Sequence, residues 1–165
     1  MNTKNVYRFL FSALFAFALT PAFSQFSAGF NVGFPSGDWS SYESTGFGVD
    51  VRYEAPIQDK LNWNASVGFL SFSGKSYGGG NYNSITGIPV VGGIKYYFQE
   101  SNAGVYGGVD AGLVFWSGGG NSENRFVFAP GVGYRLPKFD FSFRYNAMSD
   151  FNLVGLRAAY IFPGK

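Results

Sequence analysis

The sequence contains no cysteine and no histidine, and each absence excludes a class of protein. Without cysteine the chain forms no disulfide and carries no lipid-modified cysteine anchor, so its stability has another source. Without histidine it lacks the side chain that most often transfers protons near neutral pH. The usual Ser-His and Cys-His catalytic pairs are therefore excluded, which argues against an enzyme.

Charge is also scarce in this chain. Charged residues make up 13% of the sequence, about half of the roughly 25% that is usual for soluble domains. Aromatic residues reach 21%, and there are 24 glycines. A water-soluble protein of this length normally presents more charge to its solvent, so the composition indicates a surface that meets something other than water.

The first residues have the order of a secretory signal peptide. A basic stretch with Lys4 and Arg8 precedes an apolar run over residues 9–19, and a helix breaker, Pro21, precedes small residues that end at Ser24. The apolar run is shorter than the ~20 residues that a membrane-spanning helix needs. We therefore predict cleavage after Ser24.

Cleavage divides the chain into a signal peptide, residues 1–24, and one domain, residues 25–165. It removes Lys4 and Arg8 and no acidic residue, which leaves ten residues of each charge sign. The basic character of the precursor thus belongs to the removed segment, and it gives no reason to expect a nucleic-acid partner.

Beyond residue 25, apolar and polar residues alternate with the period of two that is typical of β-strands. The pattern predicts eight strands, at residues 26–34, 46–54, 61–72, 85–98, 103–116, 125–136, 139–147 and 152–162. Short connectors follow the second, fourth and sixth of these. Longer loops are expected after the first, third and fifth, at residues 35–44, 73–84 and 117–124. Alternating short turns and longer loops are typical of transmembrane barrels.

The two faces of the predicted strands separate by polarity. In strand 139–147, Phe141 and Phe143 share one face, and Ser142 and Arg144 share the other. All ten charged residues within the predicted strands fall on the polar face: Asp50, Arg52, Glu54, Lys95, Asp110, Arg125, Arg135, Asp140, Arg144 and Arg157. Chance would scatter them over both faces.

Two features distinguish a membrane barrel from a soluble one. The polar face is rich in Gly, Ser and Asn, and aromatic residues on the apolar face gather at the strand ends, as in the girdles at membrane interfaces. One girdle comprises Tyr53, Trp63, Tyr96, Phe98, Tyr134, Phe139, Tyr160 and Phe162. The other comprises Phe34, Phe47, Phe115, Phe126 and Tyr145. An open edge in hydrocarbon would leave backbone groups unpaired. The prediction is an all-β fold: a closed, eight-stranded, antiparallel, up-and-down transmembrane β-barrel.

The signal peptide, the eight strands, the short turns and the final strand that ends in Tyr160 and Phe162 resemble the small outer-membrane barrels of the OmpA/OmpX type. The resemblance covers residues 26–162 and is architectural. It implies a bacterial outer-membrane protein surrounded by lipid and lipopolysaccharide. It also implies that Tyr160 and Phe162 form the signal read by the barrel-assembly machinery.

The interior of an eight-stranded barrel is just wide enough to be filled by side chains. We expect Arg52, Lys95, Arg135, Arg144 and Arg157 to pair there with Asp50, Glu54, Asp110 and Asp140, because unpaired charge in a narrow lumen is costly. The alternative is a narrow, gated ion path. Inward glycines either leave gaps for such a path or make room for large side chains: Gly93, Gly108, Gly112, Gly131 and Gly133.

These patterns favour a non-enzymatic outer-membrane barrel that contributes to envelope integrity or surface interaction. A narrow porin-like channel is the second hypothesis, and a lipid-modifying enzyme is the third. No cofactor or metal is expected. The loop aromatics Trp39, Tyr42, Tyr77 and Tyr82 are candidates for contact with a sugar or a surface partner, although such residues more often pack at the level of the lipid headgroups. The sequence does not identify that partner.

Overall fold

The structure is a computed structural model. It describes residues 25–37, 40, 43–74, 76–77, 80–81, 84–99, 102–149 and 151–163. The predicted signal peptide lies outside these residues, as do Trp39, Tyr42 and Tyr82, and the side chain of Tyr77 is not among those described. The division at residue 24 and the contacts of the loop aromatics therefore stay predictions.

Eight long strands form one closed antiparallel barrel. In chain order the strands are β1 (Gln25–Ser36), β2 (Glu43–Gln58), β3 (Leu61–Gly74), β4 (Ser76–Tyr77), β5 (Gly80–Asn81), β6 (Ile85–Tyr97), β7 (Gly104–Gly118), β8 (Asn121–Arg135), β9 (Phe139–Ala147) and β10 (Asn152–Ile161). The short β4 and β5 pair only with each other, within the connector between β3 and β6. Every barrel strand pairs with its neighbours in chain order, and β1 closes the barrel against β10. The predicted fold class is confirmed.

Among the described residues, no helix is long and apolar enough to cross a membrane.

The hairpin between β7 and β8 differs from the prediction. Residues 117–124 were expected to form a longer loop, but the two strands continue through them and pair Gly118 with Asn121. The turn consists of Gly119 and Gly120, with positive φ angles of 58° and 82° that favour glycine. Residues 121–124 are all exposed and polar, so this end of the hairpin lacks the alternation by which the other strands were recognised.

Two prolines interrupt the ladder of strand pairs. Between β3 and β6 the pairing stops at Val67 and resumes at Leu70, and Pro89 lies opposite this gap. Between β8 and β9 a similar gap includes Pro130. Proline has no backbone N–H to donate, which accounts for a break on one side of β6 and on one side of β8. On their other sides, both strands pair with β7 without a gap.

The two faces of the wall follow the predicted alternation. Along β9, Phe141 and Phe143 are 46% and 47% exposed on the outside, whereas Asp140 and Ser142 are buried within the barrel. Exposed Val, Ile, Leu, Phe and Tyr side chains surround the barrel on all eight strands. An apolar surface of this extent marks a membrane interface.

Aromatic rings contact one another at the end of the barrel where β2–β3, β6–β7 and β8–β9 connect, which we call the turn end. Phe26 lies 5.0 Å from Tyr53, and Phe139 lies 5.7 Å from Tyr160, measured between ring centroids. The opposite end, where β1–β2, β3–β6, β7–β8 and β9–β10 connect, is called the loop end.

The exposed face of β9 generates the first prediction. Replacing Phe141 by Arg should lower the free energy of unfolding by about 2–4 kcal/mol, because Arg is costly on a lipid-facing surface near mid-membrane. The matched control Phe141→Leu should change it by only about 0.5 kcal/mol, as for exposed positions generally. Urea titration in lipid vesicles measures both variants. Equal stabilities for the Arg and Leu variants would show that this face does not meet lipid.

Candidate functional site in the barrel lumen

Glu54 on β2 is the most heavily bonded carboxylate in the lumen. Lys95 Nζ donates to its Oε2 at 2.8 Å, and Arg135 Nη1 donates to its Oε1 at 2.6 Å. The Tyr97 hydroxyl and the Asn62 amide also donate to Oε1, at 2.7 and 2.8 Å. Donors from three other strands, β3, β6 and β8, thus converge on this one buried side chain near the turn end.

Asp140 on β9 connects this group to a second cluster. Its Oδ2 accepts from Lys95 Nζ at 2.9 Å, and its Oδ1 accepts from the Tyr106 hydroxyl at 2.9 Å. Arg157 Nη1 lies 3.5 Å from the same Oδ1. Arg157 also holds Asp50 through two contacts of 2.8 Å, from Nε to Oδ1 and from Nη2 to Oδ2. This bidentate geometry is the strongest form of an arginine–carboxylate pair.

Asp110 on β7 is shared by two guanidinium groups. Arg52 Nη2 and Arg144 Nη1 each lie 3.0 Å from its Oδ2. Arg144 also donates from Nη2 to Ser142 Oγ at 3.2 Å. The nine charged residues that were predicted to face the lumen all lie there, and each has an oppositely charged partner.

Arg125, the tenth charged residue on the polar face, lies away from this network. Its Nη2 is 2.8 Å from Glu123 Oε1 at the exposed loop end of β8, and the Glu123 side chain is 53% exposed. Arg125 is itself 19% exposed, so it lies at the rim of the loop end, outside the charge network.

The inward glycines provide space for large neighbours. A Cβ on Gly131 would lie 2.7 Å from Arg144 Cγ, and one on Gly133 would lie 2.3 Å from Tyr106 Cζ. Gly93 leaves the same kind of space for Asp110, whereas a Cβ on Gly108 would lie closest to the backbone of Ile94, at 2.8 Å. A fifth, Gly112, packs against Val91 on β6. The structure therefore supports the role of these glycines in making room for large side chains, rather than in leaving gaps for an ion path.

An apolar plug fills the loop end of the lumen, and the sequence analysis did not identify it. Rings of Phe72, Trp116 and Phe151 contact one another, with centroids 5.9, 6.0 and 5.2 Å apart. Leu153 and Met148 pack against them. One feature of the sequence did indicate the plug. Phe72 and Trp116 share the face of their strands that carries the polar residues, so both point inwards, near the strand ends.

Glycines again accommodate the rings of the plug. A Cβ on Gly46 would lie 2.3 Å from the Phe72 ring, and one on Gly87 would lie 2.6 Å from the Trp116 ring. The polar residues Tyr97, Tyr106 and Asn62 were not predictable either, because uncharged residues on a polar face do not reveal which carboxylate they bond.

A cavity of about 80 Å³ lies between the charged layer and the plug. Asp110, Arg144 and Arg157 line its polar side, and Val114, Trp116 and Leu153 line its apolar side. A water molecule requires roughly 10–15 Å³ of such space, so the cavity accommodates at least one water-sized group. Within the described part of the chain, no cluster of three acidic side chains could hold a metal ion.

The two residues of the predicted assembly signal lie on the outside of the barrel at the turn end. Tyr160 is 39% exposed and Phe162 is 48% exposed, and their rings are 5.4 Å apart. The backbone N–H of Phe162 donates to the carbonyl of Phe26 at 2.8 Å, so the aromatic residue is held beside β1. Recognition by the assembly machinery stays a prediction.

No family profile and no curated protein matches the sequence. Solved structures do match it. The attachment invasion locus protein Ail of Yersinia pestis is 17% identical, covering 87% of this chain and 100% of Ail, with a TM-score of 0.53. The N-terminal β-barrel domain of Pseudomonas aeruginosa OprF is 14% identical, covering 84% of this chain and 99% of that domain, with a TM-score of 0.53.

Neisserial surface protein A is 17% identical, covering 84% of this chain and 95% of that protein, with a TM-score of 0.52. The chain has the fold of the small outer-membrane barrels. The resemblance stated from the sequence is thereby confirmed as a likeness of fold, and identities this low establish nothing about a shared role.

The charge network generates the second prediction. Arg157→Gln removes a partner from both Asp50 and Asp140, and breaking a buried pair costs about 3–5 kcal/mol. We expect a loss of that size in the free energy of unfolding, measured by urea titration in lipid vesicles. Arg125→Gln is the matched control, because its partner Glu123 is exposed to solvent, and a solvated pair contributes at most about 1 kcal/mol. Similar losses in the two variants would contradict a water-poor, paired lumen.

Proposed function

We propose that the protein is an integral outer-membrane barrel without catalytic activity, whose lumen is closed and whose role is envelope integrity or surface interaction. The fold of the chain and its apolar outer surface support residence in the outer membrane. The filled lumen carries the proposal that the barrel is closed, since it is blocked twice along its axis, by ion pairs and by the aromatic plug.

The surroundings of the protein follow from this proposal. The predicted signal peptide, residues 1–24, would direct export, and the barrel-assembly machinery would insert the mature chain. Lipid and lipopolysaccharide would then contact the aromatic girdles. A surface partner would bind at the loop end, and the described residues give no basis for naming it.

A narrow porin-like channel is the second candidate, and the cavity is the observation that favours it. The cavity already opens part of the axis between the two blocking layers. A continuous path would require the Phe72, Trp116 and Phe151 rings to separate. It would also require the Glu54 and Asp140 clusters to rearrange, and each of these carboxylates is held by several donors.

An enzyme is the third candidate and the least supported. The chain has no histidine or cysteine. The carboxylates of the lumen are occupied by cations, so none of them is placed as a free general base.

Conductance distinguishes the first two candidates. The purified protein in a planar lipid bilayer should show no steady single-channel current, because the lumen is filled. Trp116→Ala should behave in the same way, since it opens the plug and leaves the charged layer in place. Large, stable currents from the unmutated protein would overturn the closed-lumen proposal in favour of the channel.

The final aromatic residue gives a prediction about assembly. Phe162→Ser should lower the amount of protein in the outer membrane of cells, as the resemblance to barrels with a terminal aromatic signal implies. Phe98→Ser is the control, because Phe98 is an exposed aromatic residue at the same end of the barrel, 62% exposed against 48% for Phe162. Heat-dependent migration on gels measures the folded fraction. Equal assembly of both variants would contradict a specific signal at Phe162.

A further inference from the structure

The ion pairs of the lumen divide into two groups, and only one of them is neutral. The first group links six residues through shared contacts, with three acidic and three basic side chains: Asp50, Glu54, Asp140, Lys95, Arg135 and Arg157. The second group consists of Arg52, Asp110 and Arg144, and it has one carboxylate for two guanidinium groups. Among the side chains that the structure describes, the lumen therefore contains one buried positive charge in excess.

This excess charge lies next to the cavity. Arg52 is enclosed, with 2% of its side chain exposed, whereas the side chain of Arg144 is 17% exposed and lines the cavity. The two guanidinium groups share a single oxygen of Asp110, which leaves other N–H groups to be satisfied. Arg52 Nε has no hydrogen-bond acceptor among the described residues. An uncompensated buried charge is strongly unfavourable, so a counterion is expected here.

The carboxylates that line the cavity do not oppose a negatively charged ligand there. Both oxygens of Asp50 accept from Arg157, and Oδ1 also accepts from Asn31 at 2.7 Å. Oδ2 of Asp110 is bridged by its two arginines, and Oδ1 faces the backbone of Gly93 on β6, where a Cβ would lie 2.2 Å away. The negative charge of these two carboxylates is thus neutralised by arginines or directed away from the cavity.

We infer that the cavity is a binding site for one small monovalent anion of the size of chloride, held by the Arg144 guanidinium group that lines it. The space is large enough for one such ion. This inference goes beyond the proposed function, and it holds whether or not the lumen conducts.

Bromide is the direct probe, because its anomalous scattering identifies it in a crystal. Crystals of the unmutated protein grown or soaked in sodium bromide should show an anomalous peak in the cavity, within hydrogen-bond distance of an Arg144 guanidinium nitrogen. Peaks at surface arginines alone, with water or nothing in the cavity, would overturn the inference. This experiment needs no variant and does not depend on any physiological role.

Stability in solution provides the second test, since a ligand that binds only the folded state stabilises it. The urea midpoint of the unmutated protein in vesicles should rise with chloride, to saturation, when chloride replaces gluconate at constant ionic strength. Arg144→Gln removes the excess charge and should abolish the rise, whereas Arg125→Gln should retain it. A midpoint that does not respond to chloride in the unmutated protein, or a rise that persists in Arg144→Gln, would contradict the site.

Discussion

The structure depends on the pairing of charged side chains across a lumen that is only wide enough for side chains. The Glu54 carboxylate meets this requirement with donors from β3, β6 and β8, and its contact with Arg135 joins residues 81 positions apart. Such contacts can form only when the strands are in one register. The hydrogen-bonded wall closes the barrel, and the internal ion pairs determine how its strands are staggered.

The same requirement explains the distribution of small and large residues. A lumen of this width cannot hold a large side chain on every strand at one level, so glycines lie beside several of the long side chains, as Gly133 lies beside Tyr106. The lumen also has layers. Its charged residues lie towards the turn end and the centre, and its apolar residues lie at the loop end. The cavity forms where the two layers meet and neither fills the space completely.

Much of this architecture was predictable from the sequence, because a period of two assigns each residue to one face of a strand. The assignment of Phe141 outwards and Asp140 inwards required nothing further. The partners of Asp140 were not predictable, since they depend on the stagger of distant strands, which residue alternation does not encode. The β7–β8 hairpin was predicted as a loop, because its polar residues extend into water and lose the alternation. The plug was missed because Phe72 and Trp116 are apolar residues on the face assigned as polar.

The central claim is that the outer face of this barrel meets lipid while its inner face is closed to bulk water. The absence of cysteine allows a direct test, in which single cysteines are introduced along β9 and carry spin labels. In vesicles, labels at positions 139, 141, 143 and 145 should be relaxed by oxygen dissolved in the lipid and protected from a water-soluble paramagnetic reagent. A label at position 142 should be protected from both. Access of the water-soluble reagent to positions 141 and 143 would contradict the account and would instead indicate a barrel whose outer face is solvated.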